Sequence, residues 1–194
     1  MPLAIALSPD GKRIAILLNG WREQGVQILD RGTGAIVQSI PQPAAFLGLV
    51  FSPDGKSLYA SGGNEDVIYQ YRWSDGRAEE AGTIALANKA KGKPGTRYPA
   101  GIGLSADGKT MYVAENLADS LAVVDIASGK VTQRLATERY PYGVVVAGDG
   151  SVYVSAWGGS TVSVFRTNGS GKLEDGSRIT VARHPSALIL SRDG

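Results

Sequence analysis

The chain has 194 residues, no cysteine, 26 glycines and a formal net charge of +2, with 43% hydrophobic and 20% charged residues. That balance describes a globular chain with a substantial core and excludes a disordered or collagen-like one. It also excludes disulfide frameworks, thiolate metal sites and a cysteine nucleophile, and it offers no basic face for nucleic acid or an anionic membrane.

The chain reads as successive copies of one unit. A first copy, 2–42, contains LAIALSPDGK, IAILLNG, GVQILDRGTG and AIVQSI, with turns at Asp10-Gly11-Lys12 and Gly32-Thr33-Gly34. A second, 43–98, contains Ser52-Pro53-Asp54-Gly55-Lys56, SLYASGGNED, VIYQYRW, a Ser74-Asp75-Gly76 turn and a fourth strand ending at Leu86. The third, 99–140, predicts strands at Ala100 to Leu104, Thr110 to Val113, Ser120 to Val124 and Lys130 to Leu135, each rich in apolar or β-branched residues. The fourth, 141–184, contains YGVVVAGDG, SVYVSAWGGS, TVSVFRTNGSG and a last strand around Arg178 to Val181, and 185–194 opens a fifth with SALILSRDG. Asp-Gly turns recur at Asp10, Asp54, Asp107, Asp149 and Asp193, where glycine supplies the positive φ of a tight hairpin.

Four strands joined by local turns make an antiparallel meander. Runs such as Ala122-Val123-Val124 are apolar on both faces, so both faces of each sheet must be covered. Sheets covered by their own copies are the blades of a β-propeller. The expectation is one all-β domain over 1–194: four blades plus one strand of a fifth, an incomplete ring or a fragment. No run approaches the ~20 apolar residues of a membrane span, and no signal-like segment stands at Met1-Pro2, so no membrane insertion is expected.

MYVAENLADSLAVVD (Met111 to Asp125) and VYVSAWGGSTVSVF (Val152 to Phe165), with SADGK at 105–109 and SPDGK at 8–12 and 52–56, resemble the YVTN family of bacterial propeller repeats. The resemblance covers the whole chain and looks most like the propeller portions that precede phosphoesterase-type domains. It departs in IAILLNG of the first copy and in Phe46, which stands where other copies have Pro2, Pro99, Pro141 and Pro185. It implies an extracytoplasmic location, periplasmic or cell surface. It also implies a ring of commonly seven blades, hence self-association through the apolar terminal blades, or truncation.

In a propeller the loops joining the copies share a face with the loops between second and third strands. Three joining loops read Arg97-Tyr98-Pro99, Arg139-Tyr140-Pro141 and Arg183-His184-Pro185, so guanidinium groups and rings would line one opening and capture an anion. The alternative is that proline simply starts the inner strand above a packed neighbour. Trp21 and Trp157 occupy comparable loops suited to a partner, whereas Trp73 reads as packing. Glu65, Asp66, Glu115, Asn116 and Asp119 lie in the second-to-third-strand loops and are the candidates for a Ca²⁺ site polarising a lactone carbonyl, as in some propeller lactonases; solvated loop residues are the alternative. His184 is the only histidine, which rules out a histidine-pair metal site. An insertion, ANKAKGKPGTRY over 87–98, carries Lys89, Lys91, Lys93 and Arg97 without an acid: a basic tongue for an anionic partner, or a solvated loop.

Ser8, Ser52 and Ser105 stand in turns without a hydrolase elbow and read as turn residues. The leading expectation is therefore a non-catalytic module, without cofactor, that binds a protein or a small anionic ligand. The alternatives are a lactonase-type hydrolase using Ca²⁺, and a propeller appendage of a phosphoesterase.

Overall fold

The computed structural model describes residues 1–20 and 23–191. Among them sixteen strands form four separate four-stranded antiparallel sheets, each a meander whose spatial order follows the sequence. Blade 1 comprises β1 (Pro2–Leu7), β2 (Arg13–Leu18), β3 (Gly25–Asp30) and β4 (Ile36–Pro41); blade 2 comprises β5 (Leu49–Phe51), β6 (Ser57–Ser61), β7 (Val67–Ser74) and β8 (Arg77–Ala85). Blade 3 comprises β9 (Pro99–Leu104), β10 (Thr110–Glu115), β11 (Ser120–Asp125) and β12 (Lys130–Ala136); blade 4 comprises β13 (Pro141–Val146), β14 (Val152–Ala156), β15 (Thr161–Thr167) and β16 (Leu173–Thr180). The last strand of blade 4 starts earlier than the sequence suggests, because the Asn168 to Gly171 turn brings Leu173 opposite Thr167. The chain divides into two compact units, Met1–Pro99 and Ala100–Gly194, of two blades each.

The hairpin turns explain why the copies superimpose. In the first three, the serine hydroxyl donates to the aspartate two residues on, Ser8 to Asp10, Ser52 to Asp54 and Ser105 to Asp107, each at 2.6 Å. The same carboxylate accepts the backbone N–H of Lys12, Lys56 or Lys109. Gly11, Gly55 and Gly108 then take φ near +70°, which a side chain would resist. Those serines are turn residues, as their context suggests. Asp193 of the fifth turn and Trp21 lie outside the described residues.

In the first unit Ala15, Leu17, Val26 and Ile28 of blade 1 pack on Leu58, Ala60 and Tyr71 of blade 2, all essentially without solvent contact. Each such large side chain contributes about 2 kcal/mol on burial. Because side chains alternate along a strand, the opposite face of blade 1 carries Ile5, Leu7 and Ile36, which are 69%, 53% and 58% exposed. Trp73 meets Phe51 edge to face at 4.9 Å and is packing. A glutamine repeats one clamp in both units: Gln38 of β4 donates to Ala78 O and accepts Ala78 N–H, and Gln133 of β12 does the same to Leu173. Each satisfies a backbone donor and acceptor of the next blade with one side chain.

In the second unit the inner strands approach too closely for side chains. A Cβ on Gly101 would lie 2.4 Å from Tyr142 O, and one on Gly143 would lie 2.7 Å from Ser186 O. Residues 185–190 thus run beside β13 as β13 runs beside β9, held by Ser155 Oγ donating to Ser186 O. They form no strand, correcting the expected fifth-copy strand, because no second strand pairs with them among the described residues.

Candidate functional site

The joining loops meet the second-to-third-strand loops of their blades, and one backbone device recurs there. Tyr98, Tyr140 and His184, each directly before a proline, take φ of 54°, 52° and 61°. Proline steers the preceding residue away from the right-handed helical region, and a left-handed non-glycine residue costs about 1 kcal/mol or more, so it needs an anchor. The three anchors differ.

In the first unit Asp66 is the anchor. It is 1% exposed, itself left-handed at φ 56°, and accepts the backbone N–H groups of Thr96 (2.7 Å), Arg97 (2.9 Å) and Tyr98 (2.8 Å). Asn64 Oδ1 accepts Gly95 N–H, and Glu65 pairs with Lys89 at 2.6 Å, so the 87–98 insertion is folded back on the Gly63–Glu65 3₁₀ turn. The Tyr98 ring lies edge to face on Phe46 at 5.0 Å. Arg97 and Tyr98 are therefore seated by the loop they belong to.

In the second unit Asp119, at φ 47°, accepts Tyr140 N–H through its carboxylate (2.8 Å), while Asn116 donates to Pro141 O. The 157–159 loop lies against the strand start: Trp157 N–H donates to Tyr140 O, and Gly158 N–H to Arg139 O. Gly158 is required here, since its Cβ would sit 2.5 Å from the Tyr140 ring. The Arg139 guanidinium stands 5.5 Å from the centre of that ring. Position 160 is serine where blades 2 and 3 have Asp66 and Asp119, and His184 N–H donates to Gly159 O at 3.1 Å.

His184 closes the cluster. Its Nδ1 is 2.7 Å from Trp157 O, and its ring lies 5.0 Å from the Trp157 ring. A carbonyl only accepts, so the hydrogen bond places the proton on Nδ1 and leaves the Nε2 lone pair free. Histidine and Trp157 are both exposed, the latter at 46%. Arg139, Tyr140, Trp157 and His184 are thus brought together in one unit, whereas Arg97 and Tyr98 belong to the other. Arg183 is exposed beside His184 in sequence, and Trp21 lies outside the described residues.

The acidic candidates are committed elsewhere. Glu65 pairs with Lys89, Asp66 and Asp119 hold backbone, and Asn116 holds Pro141. Glu115 is fully buried against Arg134, whose Nε and Nη2 reach it at 2.9–3.1 Å, and it accepts Ser120 Oγ at 2.6 Å. Among the described residues no three His, Asp or Glu side chains cluster for a metal ion. These residues do not fit the Ca²⁺ centre of the lactonase alternative. Glycines 158 and 159 and the buried Glu115–Arg134 pair escape a sequence reading; the only traces are the doubled glycine in AWGGS and an acid ending a strand that is otherwise apolar.

Successive four-stranded antiparallel meander blades define a β-propeller protein. The chain belongs to the family described as lactonase, 7-bladed β-propeller, which it matches over residues 48–190. The resemblance to YVTN repeats therefore holds at the level of the propeller. Among curated proteins none matches. Similar solved structures include a putative 6-phosphogluconolactonase from Bacteroides uniformis (23% identity, TM-score 0.76, 96% of this chain and 56% of that one). Others are the periplasmic gluconolactonase of Pseudomonas aeruginosa (24%, 0.75, 95% and 55%) and a functionally unknown protein from Desulfotomaculum acetoxidans (20%, 0.76, 92% and 56%). At these identities the likeness is one of fold, and the chain spans a little over half the length of each. No helix among the described residues is long and apolar enough to cross a membrane.

Proposed function

We propose that this chain carries the reactive part of a lactone hydrolase, with His184 as general base, in place of the non-catalytic module expected from a sequence without a catalytic motif. The observation that carries the reading is the His184 Nδ1 to Trp157 O hydrogen bond, which presents a free Nε2 beside an exposed tryptophan; membership of a lactonase family supports it. Nε2 takes a proton from water as the water oxygen attacks the lactone carbonyl carbon. The Arg139 guanidinium faces the negative charge that develops on the carbonyl oxygen. The ring C–O bond then breaks, and the leaving oxygen recovers the proton from Nε2, giving an open-chain hydroxy acid. Trp157 supplies an apolar platform for the face of a sugar ring.

The test is hydrolysis of glucono-1,5-lactone, followed as acid release above the spontaneous rate, by the wild-type chain and by His184→Ala. Loss of the enzymatic rate in the variant, with its fold unchanged, is the expected result. An equal rate in both removes His184 from the reaction, and absence of turnover in the wild type returns the chain to a binding role.

An extracytoplasmic location is part of the proposal, supported by the periplasmic relative and testable by cell fractionation. The exposed Ile5, Leu7 and Ile36 face supports self-association; light scattering showing twice the chain mass would bear this out, and a monomer at high concentration would not.

A further inference from the structure

The 87–94 insertion and the Gly63–Glu65 turn enclose an open cleft of about 500 Å³ that the lactone chemistry leaves unused. Its lining includes Asn64, Glu65, Lys89, Lys91, Lys93 and Pro94. We propose that this cleft binds a small phosphorylated ligand through its terminal phosphoryl group.

Three observations converge on an anion. First, residues 87–97 hold four basic side chains and no acid, while the rest of the chain has more acidic than basic residues, so the net positive charge is concentrated here. Second, the only carboxylate in the lining, Glu65, is already neutralised by Lys89 at 2.6 Å, and the Lys89 side chain is only 14% exposed. Lys91 and Lys93 are exposed, and neither has a carboxylate within ion-pair distance among the described residues. Third, Asn64 is oriented. Its Oδ1 accepts Gly95 N–H at 3.0 Å, which fixes the amide so that Nδ2 remains a free donor.

The cleft thus offers two unpaired ammonium groups and one amide N–H₂ as side-chain donors, beside a carboxylate already paired with Lys89. Ammonium groups are point charges without the planar fork that matches a carboxylate, and donors arriving from separate directions suit the several oxygens of a phosphoryl group. The loop is also prebuilt. Gly95, Thr96, Arg97 and Tyr98 are tied to Asn64 and Asp66, so little ordering remains to oppose binding. The position is specific to this copy, since the other three lack the insertion.

The test is titration of the chain with inorganic phosphate, glucose 6-phosphate, glucose and gluconate at constant ionic strength, followed through the backbone amides of Gly92 and Gly95. It does not depend on lactone turnover, so its failure is distinguishable from failure of the His184 reading. Saturable shifts with glucose 6-phosphate, absent with glucose and at least about tenfold weaker with gluconate, are expected. Equal affinity for inorganic phosphate assigns binding to the phosphoryl group alone, and tighter glucose 6-phosphate binding assigns a phosphosugar; either supports the site. Lys91→Gln combined with Lys93→Gln should weaken binding about tenfold or more, two charge-assisted contacts being lost. Asn64→Asp, which keeps an acceptor for Gly95 but turns the free donor into a carboxylate oxygen, should weaken it likewise. Wild-type affinity in both variants, or gluconate binding as tightly as the phosphates, would overturn the proposal.

Discussion

The joining loop of the first unit and the last joining loop of the second start from the same motif, Arg followed by a ring and a proline, yet they are held quite differently. Asp66 grips three successive N–H groups before Pro99, while the loop before Pro185 has a serine at the corresponding position and rests on the carbonyls of Gly159 and Trp157. The first arrangement spends its carboxylate on the backbone and leaves a rigid element. The second leaves a histidine that is bound through its side chain and exposed to solvent. A repeat fold can thus tie one copy of a loop to a buried carboxylate and leave the ring of another exposed by a single exchange at the anchor.

The largest effect that sharpens this contrast is on activity. His184→Ala should lower lactone turnover by about 10²- to 10⁴-fold, the range for a general base, with no change in urea midpoint. Asp66→Ala should do the reverse: it strands three N–H donors, and unfolding should show a loss of about 3 kcal/mol. A loss below that of Asp119→Ala, which strands one N–H and should cost about 1 kcal/mol, would break the contrast. Trp157→Ala should raise KM about tenfold while kcat changes less, because a stacking platform binds the ground and transition states alike.

The smallest effect is common to both units. The carboxyls of Asp10, Asp54 and Asp107 are held below their ordinary range first by the serine hydroxyl and then by a lysine N–H, and that of Asp149 by Ser151. A depressed folded-state pKa contributes stability that is present above the unfolded value of about 4 and is lost as pH falls through the folded one. Thermal scans should therefore show Tm falling below about pH 4, and Asp107→Ala should make that fall shallower.

The blades were legible from the sequence because a hairpin turn is local. Ser105, Asp107 and Lys109 bond within five residues, so their spacing announces the structure. The site was half legible. Repetition picks out Arg139, Tyr140, His184 and Trp157, but it does not reveal that the loop acids hold backbone and an arginine. Asp66 bonds residues thirty positions away and Glu115 an arginine nineteen away, and no local pattern distinguishes a carboxylate that grips backbone from one that awaits a cation. The strand expected near 186–190 failed for a related reason: its composition suits a strand, but pairing requires a neighbour.

Because His184 is the only histidine, its imidazole nitrogens give an unambiguous pair of signals in a long-range nitrogen–proton spectrum recorded with the ring neutral. A protonated Nδ1 and an unprotonated Nε2 are expected, with the Nε2 signal moving when a lactone analogue is added. A proton on Nε2 in the free chain would contradict the His184 reading, since Nδ1 would then have no proton to donate to Trp157 O and Nε2 could not act as the base.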